Sequence, residues 1–181
     1  MYRLCVTLVA TAICAVLVVP AHADDEDDNS SGRRKWNGVA QLASRIVLPG
    51  DPLHPDRCAG PAAILGGAGL TTLLGQFVGQ QSHCLNPDGS FDQGQFVFTA
   101  TDGRTIRGRY YGQIVPAVAP PPNELPTSGV ILGSVCVQGG TAFSHIVNDC
   151  AAQRYAPARG VLNLTTGDGT IFLDYALGVR R

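Results

Sequence analysis

Charge is scarce in this chain of 181 residues: 15% are Asp, Glu, Lys or Arg, thirteen basic against fourteen acidic, for a formal net charge of −1. Lysine is almost missing, with Lys35 the only one. A nucleic-acid binder carries a clustered basic footprint, so that partner class is excluded. No C-x-x-C and no H-x-x-x-H pair occurs, which removes the usual zinc spacings, and no metal is expected. Gly66-Gly67-Ala68-Gly69 lacks the Lys and Ser/Thr of a phosphate loop, and there is no G-x-S-x-G nucleophile turn. No cofactor is implied. Beyond residue 60 no stretch sustains a 3.6-residue apolar period, except for a turn or two within 142–152, where one short helix has room.

What is present begins with an export address. Met1–Arg3 carries one positive charge, Leu4–Val19 carries none, Pro20 ends the run, and Ala21-His22-Ala23 is an A-x-A cleavage site. A spanning helix needs about 20 apolar residues, which this run does not reach. Residues 1–23 therefore read as a signal peptide cleaved after Ala23, giving a secreted or periplasmic protein with no membrane insertion after cleavage. Residues 24–35, DDEDDNSSGRRK, hold nothing apolar to bury and read as a disordered tail. Residues 36–181 read as one domain. Cys5 and Cys14 leave with the signal, and Cys58, Cys84, Cys136 and Cys150 remain. An even set in an exported chain points to two disulfides. Three pairings are open, and the sequential one, Cys58–Cys84 with Cys136–Cys150, is favoured.

Trp36–Leu48 alternates loosely, as a first strand or a short helix would, and Pro49–Pro55 is turn-rich. From Gly60 onward, short apolar runs alternate with Gly, Asn, Asp and Pro about every ten residues, which predicts antiparallel β-structure, as a barrel or a sandwich. In Gln95–Tyr111, a three-residue loop Thr101-Asp102-Gly103 with Gly103 left-handed sets Phe98 opposite Ile106 and Phe96 opposite Gly108. It keeps Arg107 and Arg109 off the phenylalanine face, where unpaired guanidinium groups would be costly. In Val161–Tyr175, a two-residue Asp168-Gly169 turn pairs Leu164 with Leu173 and Leu162 with Tyr175. That gives an inner face of Leu162, Leu164, Ile171, Leu173 and Tyr175. Tyr110 and Tyr175 hold matching places in the two hairpins. The five prolines of Pro116–Pro126 predict a stiff loop.

Thr72-Leu-Leu-Gly-Gln-Phe77, the Asp-Gly hairpin of Phe91–Gly112, Gly139-Gly140-Thr141 and Arg154-Tyr-Ala-Pro-Ala-Arg-Gly160 together resemble the recurrent pieces of small secreted bacterial β-barrels of the allene oxide cyclase and dirigent superfamily. The resemblance spans about residues 66–178. The chain departs from it at Ala142–Gln153, a stretch inserted between the Gly-Gly-Thr and Arg-Tyr pieces that includes His145 and Cys150. The resemblance implies an all-β fold, an antiparallel eight-stranded barrel of the calycin or allene oxide cyclase type, around an apolar cavity. It implies a fold more than a function, since most bacterial members have no assigned activity; allene oxide cyclase and dirigent barrels themselves steer reactive intermediates with few polar groups inside.

Of the histidines, His54 sits in the Pro-rich turn and reads as a solvated loop residue. His83 adjoins Cys84, but neighbours on a strand face opposite ways, and Cys84 is better used in a disulfide. His145 and Asp149 have helical i, i+4 spacing and read as a polar loop pair rather than an acid–base or metal site. The expected function is a non-catalytic binding module for a small apolar molecule or a surface partner. The alternative is a cyclase- or dirigent-like barrel that guides a reactive small molecule. Tyr110 and Tyr175 are the residues expected to meet a ligand inside.

Overall fold

The computed structural model describes residues 33–142 and 148–178, and the predicted signal peptide, most of the predicted tail and His145 lie outside them. Eight strands follow one another: β1 Arg33–Val47, β2 Ala62–Thr71, β3 Gly75–Leu85, β4 Ser90–Ala100, β5 Thr105–Pro116, β6 Ser128–Gly140, β7 Ala156–Asn163 and β8 Asp168–Gly178. Each pairs antiparallel with its neighbours in sequence, and β8 returns to β1 to close the barrel. Closure leaves every described strand with a neighbour on both sides, so none is an edge strand. Among the described residues there is no helix.

The alternation expected of a half-buried strand organises the wall. On β4, Phe91, Phe96, Phe98 and Ala100 are buried while Val97 is exposed; on β5, Ile106 is buried while Arg107 and Arg109 face water. The hairpin between them has the predicted register, with Phe98 opposite Ile106 and Phe96 opposite Gly108, and Gly103 has φ +84°. Eight strands enclose a space that side chains nearly fill, and the aromatic rings need room made for them. Gly108 supplies it: a Cβ there would lie 2.6 Å from the Phe96 ring and would collide with the Cys136 carbonyl oxygen. Trp36, fully buried, packs beneath this layer against Phe96, Phe98 and Tyr175, with ring centroids 6.1–6.3 Å apart.

Three expectations are corrected. The β7–β8 hairpin does not turn at Asp168-Gly169: Leu162 lies opposite Gly169 and Ala158 opposite Leu173. The turn is Leu164–Gly167, where Gly167 takes φ +78° and the Asn163 side chain accepts the N–H groups of Thr165 (2.9 Å) and Thr166 (3.1 Å). An Asx-capped loop of this kind outcompetes the Asp-Gly turn because it satisfies two otherwise open donors. Leu164 is consequently in the loop and exposed, not on the inner face. Secondly, Arg33–Lys35 are not tail: their backbones pair with Gly178, Leu177 and Ala176 of β8, whose open groups recruit them despite the polar sequence. Thirdly, the helix expected within 142–152 lies partly outside the described residues. Its described part forms turns at Asp149–Gln153, beside the Cys136–Cys150 bond.

Both favoured disulfides are formed. Cys58–Cys84 ties the β1–β2 loop to the end of β3, and Cys136–Cys150 ties the β6–β7 connection back to β6, with Cα–Cα distances of 5.3 and 5.1 Å. The first anchors a small apolar cluster on the outside of the barrel, formed by Val47, Cys58, Ala62 and Cys84. Two disulfides fit an extracellular or periplasmic protein, and among the described residues no helix is long and apolar enough to cross a membrane.

Candidate functional site

The barrel is filled unevenly. At the end where the β2–β3 and β4–β5 turns lie, Trp36, Phe77, Phe98, Ile106 and Val137 close the interior. Toward the opposite end, where β1–β2, β3–β4, β5–β6 and β7–β8 connect, the packing opens into a cavity of about 410 Å³. That lies within the ~300–1,000 Å³ range of small-molecule sites. Phe96 and Phe98 reach its inner end. Ala158, Ile171 and Leu173, on β7 and β8, line one wall. Ile46, Ile114, Ile131 and Leu162 stand nearer the mouth, with Thr165–Gly167 of the β7–β8 loop at its rim.

The buried polar side chains that border the cavity come from β3. β3 places Gln81 and His83 on the inward parity it also gives Phe77, and both are buried. β5 contributes Tyr110, whose hydroxyl lies 2.9 Å from His83 Nδ1. The two rings meet edge to face at 5.6 Å between centroids, and His83 also stacks on Phe91 at 4.6 Å. Burial and, secondarily, the nearby Arg57 guanidinium push the His83 pKa down to about 4. Burial pushes the Tyr110 hydroxyl well above its ordinary value, with Arg57 opposing only in part. At neutral pH the pair is uncharged and coupled by one hydrogen bond.

Arg57 reaches this wall from the β1–β2 loop, outside the barrel. Its guanidinium donates to Ser82 O (2.9 Å), Ser82 Oγ (2.7 Å) and Gln93 O (2.8 Å). Gln93 adopts φ +50°, and the β4–β5 register shifts between Phe91 and Gly94. Arg57 therefore fastens the irregular stretches of β3 and β4 that flank His83.

The sequence-predicted residues separate. Tyr110 borders the cavity; Tyr175 does not. Tyr175 lies at the filled end, buried, where its hydroxyl donates to Asp149 Oδ2 at 3.0 Å with Arg154 O at 3.3 Å. Asp149, 1% exposed, is also 3.9 Å from Arg154 Nη1. This acid fastens the β6–β7 connection over the barrel end. His54 is half-buried, its Nε2 2.8 Å from Gly60 O, so it pins its loop. Beyond the two tyrosines expected from the sequence, His83 and Gln81 border the cavity, and their sequence signal is two polar residues in phase with Phe77 along one strand. Among the described residues no group of three His, Cys, Asp or Glu side chains could hold a metal.

The chain matches no family model, no curated protein and no solved structure.

Proposed function

We propose that this protein is an exported binding module that holds one small, mostly apolar molecule inside its barrel. The observation that carries this reading is the cavity of about 410 Å³, walled by aliphatic and aromatic side chains and furnished on one side with a buried polar group set. A pocket of that character, with few placed polar groups, is the usual form of a small-molecule site. The outward-facing Arg107, Arg109 and Asp174 set against an apolar interior support a water-exposed barrel, since membrane barrels have the opposite polarity.

A second reading, a barrel that steers a reactive molecule as allene oxide cyclase and dirigent barrels do, is favoured by the His83–Tyr110 pair inside the cavity. Binding is preferred because burial moves both pKa values away from 7 in the direction that keeps each group uncharged, which suppresses proton exchange at pH 7. Native mass spectrometry of the disulfide-bonded protein from an oxidising compartment tests the first reading. A native mass exceeding the denatured mass by one discrete organic increment supports it. A bare chain that also fails to take up apolar probes in solution would end it, and chemical change of the released molecule on incubation would select the second.

A further inference from the structure

We propose that the cavity selects a neutral apolar molecule bearing a hydrogen-bond acceptor on its flank, a ketone- or ester-type carbonyl, and that His83, Tyr110 and Gln81 receive it. This inference rests on the reading of the cavity as a ligand site and names the class of molecule it takes.

The first argument counts hydrogens. A neutral imidazole carries one N–H, and a phenol carries one O–H. The His83–Tyr110 bond consumes one of the two. If the phenol donates to Nδ1, the Nε2–H is left over; if Nδ1–H donates to the phenol oxygen, the O–H is left over. Either way the pair retains one donor. Gln81, buried and bordering the same space, adds the N–H groups of its amide. An acceptor on the ligand is served in both tautomers.

The second argument is electrostatic. Arg57 lies behind the β3–β4 wall and its charge is felt at both His83 and Tyr110. It biases this side of the cavity toward the negative end of a ligand dipole. It does not offer a contact to an anion, because its guanidinium is turned to Ser82 and Gln93. The charged residue that borders the cavity, Arg159, occupies an outward, exposed position on β7. A carboxylate held among these groups would be buried without a cation in contact, which is unfavourable. A carbonyl gains the same donors without that penalty.

The third argument is positional. Donors come from β3 and β5, which flank β4, and β4 stands across the ring of eight from β8. The facing wall, Ala158, Ile171 and Leu173, and the inner end, Phe96 and Phe98, are apolar. The acceptor therefore belongs on the side of the ligand, not at its tip.

Cyclooctanone, cyclooctane and cyclooctanecarboxylate serve as probes, titrated by ligand-observed NMR at pH 7 into the disulfide-bonded protein and into His83→Leu/Tyr110→Phe. Replacing both partners of a buried hydrogen bond with apolar groups of similar shape is close to neutral for folding, so the double variant should stand. The expected result is that the ketone-to-cyclooctane affinity ratio falls about three- to tenfold in the variant, the range that loss of one neutral hydrogen bond implies. In the unaltered protein the bound carbonyl stretch should move to lower frequency than in hexane. This second readout does not depend on the variant's folding. Cyclooctane and the ketone binding in the same ratio to both proteins, an unshifted carbonyl stretch, or tightest binding by the carboxylate would each overturn the inference while leaving the cavity reading intact. If none of the three probes binds, the cavity reading falls, and this inference with it.

Discussion

Acidification should weaken this fold through one residue. His83 is 6% exposed, and its pKa lies at about 4 against an ordinary 6.5. Burial is the main cause and Arg57 the lesser one. The sign follows from proton counting. Above pH 6.5 the imidazole is neutral in both folded and unfolded chains, and stability is unaffected. Between 6.5 and 4 the unfolded chain takes up a proton that the folded chain refuses, so unfolding gains by up to about 1.4 kcal/mol per pH unit. Over that window the loss is about 3 kcal/mol, a substantial part of the ~5–15 kcal/mol that holds a typical domain together. Below pH 4 the slope from this group ends.

The assay is urea unfolding at pH 7, 6, 5 and 4, with the disulfides intact, for the parent and for His83→Gln, which retains a polar contact for Tyr110. Asp88 and Asp102, whose carboxyl groups are held below the usual carboxylate value chiefly by hydrogen bonds to Ser90 and Arg104, stay ionised in the folded chain across this window and act alike in both proteins. The parent should lose about 3 kcal/mol more than the variant between pH 7 and pH 4. Parallel curves would show that His83 is not held neutral by the barrel, and would remove the argument for an uncharged cavity.

Other expectations concern the frame. Replacing Cys136 and Cys150 by Ser, or Cys58 and Cys84 by Ser, should each lower unfolding free energy by about 3 kcal/mol, the chain-entropy value for loops of 14 and 26 residues; equal urea midpoints with and without either bond would contradict this. Gly108→Ala, which sets a methyl group against the Phe96 ring and the Cys136 carbonyl, should cost at least ~1–3 kcal/mol in the same measurement. Ala158→Trp, on the apolar wall, should fill the cavity and abolish uptake of cyclooctanone while the far-ultraviolet circular dichroism of the barrel persists.

Much of this architecture is written locally in the sequence. The Thr101–Gly103 loop was legible because burying Arg107 and Arg109 among phenylalanines would cost more than any turn preference, which left one register. The β7–β8 hairpin lacked such a penalty. Its two candidate turns differ by an even number of positions, so Leu162, Ile171, Leu173 and Tyr175 keep the same facing in both. Side-chain pattern could not choose between them; the Asn163 cap did. The cavity was less visible still. Tyr110 and Tyr175 look equivalent along the chain, yet β5 delivers one beside His83 and β8 delivers the other beside Trp36 and Asp149. That distinction depends on height within the closed barrel, which no single hairpin encodes.

The cysteine pairing has a consequence for biogenesis. Each bond joins cysteines that are consecutive in the described chain, Cys58 to Cys84 and Cys136 to Cys150. A chain delivered N-terminus first presents Cys84 while Cys58 is its sole earlier partner in the barrel, and the first bond can close before Cys136 arrives. For a chain exported as proposed above, oxidation in order of emergence would yield the native pairs directly, without an isomerase to reshuffle mispaired bonds.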